Sequence, residues 1–99
     1  MFVGVCKIVL FIPGTDSLKG KRSVVRSIKD RVAARFPVAI AEVGDLDLWQ
    51  RAELGVCAVG NDHSHVNSVL DNVTRFIEQM MVAQLVDREI EIITFKGSP

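Results

Sequence analysis

Residues 38–59 read VAIAEVGDLDLWQRAELGVCAV. Two apolar runs, 38–43 and 52–59, flank GDLDLWQR, whose glycine and aspartates are turn formers. The pattern predicts two consecutive strands joined by a polar turn that carries an aromatic. What lies on either side of this pair decides the fold.

Upstream, residues 2–12 are rich in Val, Ile, Leu and Phe and end at Pro13-Gly14, a strand followed by a turn. Ser17 suits the N-cap of a helix running to about Arg35, with Pro37 ending it. Leu18, Val24, Val25, Ile28, Val32 and Phe36 share one arc of that helix. Downstream, Asn61-Asp62 can cap a second helix, with Val66, Val69, Leu70, Val73, Ile77 and Met80 on one face. REIEIITF, Arg88 to Phe95, alternates like a last strand. The order β-α-β-β-α-β predicts an α/β (α+β) ferredoxin-like sandwich. Right-handed crossovers then require an antiparallel sheet in the order 4-1-3-2 with both helices on one face. One domain is expected over residues 1–96, with a short tail at 97–99. The topology also brings PGTDSLKGKR and GDLDLWQR, far apart in sequence, to the same end of the domain.

The first strand is apolar on both of its faces, interrupted only by Lys7. A sheet with one wet face should alternate more cleanly. We therefore expect the open face to pack against another copy, giving a homodimer or higher oligomer.

Composition narrows the remaining possibilities. Twelve basic residues balance twelve acidic ones, so no global field steers the chain to nucleic acid or membrane. Cys6 and Cys57 sit in apolar runs and read as free thiols of a reducing compartment. The N-terminal apolar run has no basic segment before it, carries Lys7 and lacks a small-residue cleavage site. With no apolar run of about 20 residues either, a cytoplasmic location is expected.

The charge is nevertheless uneven. Seven basic residues fall between Lys19 and Arg35, with only Asp30 among them. Lys19, Arg22, Arg26 and Lys29 recur at helical spacing as a stripe beside the apolar arc, and Lys21 joins them in the first turn. A helix start attracts anions through its free N–H groups, so cations around it suit a phosphate. Trp49 and Arg51, in the turn across from that start, are candidates for the rim of the same site, Trp49 by stacking on a base. Two blander possibilities compete. The stripe can be an ordinary solvated face, or Asp45 and Asp47 can neutralise Lys19 and Arg22 as surface pairs. Trp49 can equally close the core or fill a subunit contact.

Other chemistry finds little support. GTDSLKGKR lacks the phosphate-loop spacing, which requires Ser or Thr after the lysine. His63 and His65 are two apart and diverge on a helix, so no metal site is expected. No nucleophile, base and orienting group come together, so no catalytic residues and no cofactor are assigned.

The stretches SLKGKRSVVRSIKDR (17–31), IAEVGDLDLWQRAELGV (40–56) and VGNDHSHVNSVLDNV (59–73) together resemble the YlxP-like family of small bacterial proteins. The Leu-Lys-x-Lys-Arg helix start and the Asp-Leu-Trp-Gln-Arg turn carry the resemblance most specifically. It implies a ferredoxin-like fold, no assigned activity, and genes that often neighbour those for translation initiation and ribosome maturation. Resemblance and charge together lead us to expect a non-enzymatic protein that binds structured RNA, such as ribosomal RNA or ribosomal particles, through Lys19, Lys21, Arg22, Arg26 and Lys29. A rival is an oligomeric interaction module whose basic helix docks on an acidic protein surface. A third is a binder of a small phosphate-bearing ligand at the helix start.

Overall fold

The structure, a computed structural model, describes residues 1–97; the last two residues of the expected tail lie outside the described residues. Its elements run β1 (Phe2–Phe11), α1 (Leu18–Arg35), β2 (Ala39–Gly44), β3 (Arg51–Gly60), α2 (His63–Gln79) and β4 (Gln84–Thr94). The four strands form one antiparallel sheet in the order β2-β3-β1-β4, the expected 4-1-3-2 seen from its other edge. The fold is ferredoxin-like.

Alternation along β1 divides the structure. Cys6, Ile8, Leu10 and Ile12 turn towards the helices and are at most 1% exposed. They meet Val25, Ile28 and Val32 of α1 and Val66, Leu70, Val73 and Ile77 of α2 in one core. Each fully buried side chain of this kind stabilises the fold by roughly 1.5–3 kcal/mol. The α2 seam is tight at Gly4, where a Cβ would lie 2.6 Å from Val66 Cγ1 and 2.7 Å from Leu70 Cδ1.

Caps fall where the sequence places them. Ser17 is extended, and its hydroxyl accepts from Gly20 N at 3.0 Å. The Asp62 carboxylate accepts from Ser64 N at 2.9 Å. α1 ends at Arg35, two residues before Pro37.

β4 departs from expectation, beginning at Gln84 rather than Arg88. Its first residues pair with Leu10 and Phe11, and an irregularity in register between Val9 and Leu10 leaves Val86 outside the pairing. The ten-residue length of β1 sets where this edge strand starts, more than the propensities of β4 itself. Among the described residues no helix is long and apolar enough to cross a membrane.

Candidate nucleic-acid interface

The first turn of α1 lies against the β2–β3 turn, as the topology requires. Thr15 Oγ1 donates to the Trp49 carbonyl at 2.7 Å, Ile12 N to the Gln50 carbonyl at 2.8 Å, and Gln50 Nε2 to the Thr15 carbonyl at 3.2 Å. These bonds pin the backbone of the turn.

Lys21 corrects one sequence expectation. It is 1% exposed, so it cannot meet a phosphate at the surface. Its Nζ lies 2.9 Å from Glu42 Oε2 and donates to the Asp45 carbonyl at 2.5 Å. The Glu42 contact is an ion pair more than a directed hydrogen bond, since no donor meets Oε2 at hydrogen-bonding angles. Lys21 thus ties α1 to both β2 and the turn. The sequence held the signal for this. Position 21 falls four, seven and eleven residues before Val25, Ile28 and Val32, on the buried arc.

Asp45 gives a second correction. It does not neutralise Lys19 or Arg22. Its backbone is left-handed at φ 58°, its carbonyl accepts from Lys21, and its carboxylate pairs with Arg51 Nε at 2.8 Å. Among the described residues no ion pair joins Asp47 to either helix cation.

The stripe therefore stays uncompensated. Lys19, Arg22 and Arg26 are exposed and, with Ser23, frame an open hollow of about 340 Å³ on α1. Lys29 follows on the same flank, half-buried. None of the four is in an ion pair among the described residues, and the first turn of α1 holds no acidic residue. The two remaining cations of the helix behave differently. Arg31 and Arg35 sit over the Phe76 ring at 5.6 and 5.1 Å from its centroid, a use the sequence did not reveal.

Trp49 and Arg51 stand apart from the stripe. They line another hollow, of about 640 Å³, with Phe11, Leu48, Gln50 and Val86 at one end of the open sheet face. Trp49 is 52% exposed. The sequence candidates thus divide into a cationic set on the helical layer and an aromatic set on the other side of the sheet.

The open face has its own ionic centre. Lys7 Nζ lies 3.4 Å from Glu89 Oε1 and 3.6 Å from Glu53 Oε1. Chiefly the charge of Glu89, then its hydrogen bond and the charge of Glu53, raise the Lys7 pKa above its ordinary value. On the helical side, Arg88 Nη2 pairs with Asp71 Oδ1 at 2.6 Å, fixing β4 to α2.

Residues 3–90 match the model of a family described as a protein of unknown function (DUF503). The chain is also 37% identical over 73 residues to the uncharacterized protein YlxP of Bacillus subtilis (strain 168), which covers 74% of this chain and 77% of that protein. A ferredoxin-like sandwich whose first helix opens on Leu18-Lys19-Gly20-Lys21-Arg22 and packs on the Asp47–Arg51 turn thus belongs to the DUF503 family.

Proposed function

We propose that this protein is a non-enzymatic binder of structured RNA, with ribosomal particles as the first target to test. Lys19, Arg22, Arg26 and Lys29 would contact the phosphate backbone. The observation that carries this is the uncompensated stripe. Among the described residues, a chain of zero net charge keeps four cations along one flank of α1 free of ion pairs, while Lys7, Lys21, Arg51 and Arg88 are all paired. Cations near a helix start oppose its dipole, at about 0.3–1 kcal/mol each when exposed, so their clustering favours an anion from outside. Phosphates along an RNA groove match a linear stripe, because spaced cations and helix N–H groups contact the backbone without reading bases. The β3 strand is RAELGVCAVG, without the aromatics on which RNA-recognition motifs stack bases. Contacts would be backbone-dominated.

The test is co-sedimentation with ribosomal particles at two salt concentrations. It compares the wild type with a Lys19, Arg22, Arg26, Lys29→Ala variant of unchanged far-UV spectrum. Binding that weakens with salt and disappears in the variant supports the proposal. Absence of binding to particles and to free structured RNA at low salt ends it, and a protein partner for α1 then becomes the target.

A further inference from the structure

Thirteen large apolar side chains remain exposed among the described residues, and none lies on either helix. Val5, Val59 and Ile93 stand on the open sheet face below its middle. Leu48, Trp49 and Val86 stand at its upper end around Phe11. The helices turn a wet surface outwards, whereas the open sheet face sets apolar patches beside Lys7 and the β4 carboxylates Asp87, Glu89 and Glu91.

We infer that the open sheet face is a two-fold interface between two copies of this chain. The pattern on the face is what selects a second copy. Across its middle, Ala41, Gly55, Lys7 and Glu89 are in register, and Lys7 bridges Glu53 and Glu89 as an ionic rib. Apolar patches lie above and below. A two-fold axis in the plane of the face, parallel to the strands and crossing the rib between β3 and β1, lays apolar surface on apolar surface and sets Lys7 of one copy over Gly55 of the other, beside Glu53. This self-complementarity is what an isologous contact requires.

The size is adequate. Strands of 10, 10, 11 and 6 residues, at about 3.3 Å per residue and about 4.8 Å apart, give a face on the order of 600 Å² in projection. Side-chain relief and the Leu48–Trp49 turn bring the accessible area towards the ~800 Å² per partner of a standard interface. The turn is pinned by Thr15, Gln50, Lys21 and Arg51, so it offers Trp49 at little ordering cost. In this assembly Trp49 is a contact residue, and the two basic helices point away from each other.

Sedimentation equilibrium of the full chain tests the inference, with Trp49, the only tryptophan, as an optical reporter. The wild type should weigh about 22 kDa, twice 10.9 kDa, and dissociate on dilution with a red shift of the Trp49 emission. A Val43→Lys, Val59→Lys variant, altered at side chains 57% and 61% exposed, should associate at least ~100-fold more weakly. Ala34→Lys, the same charge on the outside of α1, should leave association unchanged. Ile93→Lys serves as the readout should the double variant fail to fold. A wild-type monomer at roughly 100 µM overturns the inference, because no useful affinity remains at that concentration. So does a dimer that survives these sheet-face substitutions, or one that dissociates with no change in Trp49 emission. Quenching of Trp49 in the dimer by a short single-stranded oligonucleotide overturns it too, by showing that hollow open to a base.

Discussion

Lys21 shows how one residue can be misjudged from its charge alone. In a run of basic residues it looks like its neighbours, and its position on the buried arc counts for less to the eye than its ammonium. The structure reverses that order, because burial is tolerable once Glu42 and the Asp45 carbonyl receive the charge. Removing it should be expensive. Lys21→Ala leaves the Glu42 carboxylate, 15% exposed, without its counter-ion, and we expect a loss of about 3–5 kcal/mol in urea unfolding. A Lys21→Met, Glu42→Leu double variant should recover most of that loss, because two well-packed apolar residues no longer strand a charge. A double variant as unstable as the single one would show that the Asp45 carbonyl bond, rather than the ion pair, matters most. The exposed candidates, Lys19, Arg22 and Arg26, were legible because surface stripes follow helical spacing. Lys21 was only half legible, its arc visible in sequence and its partners not. Those partners lie 21 and 24 residues away and meet it only through the topology.

Among the elements, each strand and helix owes its existence to period, and its ends to partners. The core faces of α1 and α2 were readable from helical spacing, since burial on one face imposes it, whereas β1, apolar on both faces, did not reveal which one meets the helices. The start of β4 was not, because an edge strand extends as far as its neighbour offers hydrogen bonds. Two glycines test the packing. Gly4→Ala would drive a methyl into Val66 and Leu70 at the α2 seam, and should cost about 1–3 kcal/mol in chemical denaturation. Gly55→Ala meets only Val43, 3.0 Å away at Cγ1 and free to turn aside in the separated protomer, so a smaller loss is expected at dilutions that keep the protomers apart. Equal losses would mean that the open face is as rigidly packed as the core. The ionic rib adds a pH dependence to the sheet. The Lys7 pKa is raised on folding, chiefly by Glu89. Its contribution is fully present below the unfolded lysine value of about 10.4 and fades as pH rises through the higher folded value. Unfolding midpoints should therefore fall on alkalinisation from about pH 10, and Lys7→Met should flatten that part of the profile. An unaltered slope in Lys7→Met would assign it to other groups.

At the scale of the molecule, the layering separates two kinds of surface. Lys19, Arg22, Arg26 and Lys29 lie on the helical layer, and most of the exposed apolar side chains lie on the sheet and the turns between elements. A dimer through the sheet would carry two basic helices outwards, so each protomer could contact RNA independently. Backbone recognition then has a numerical signature, because every neutralised phosphate releases counter-ions. With four contacts from Lys19, Arg22, Arg26 and Lys29, log affinity should fall against log salt with a slope of about −3 to −4. Between 50 and 200 mM salt that amounts to about 60–250-fold. Each single alanine substitution should reduce the slope by about one unit, with little dependence on RNA sequence. Arg31→Ala should change the slope less, because its guanidinium is already over the Phe76 ring. Filter binding of one structured RNA across a salt series measures all of these slopes. A slope near zero would mean that binding, if observed, does not run through the phosphates. Loss confined to one RNA sequence would instead indicate base readout, which the aromatic-free β3 gives no means to perform.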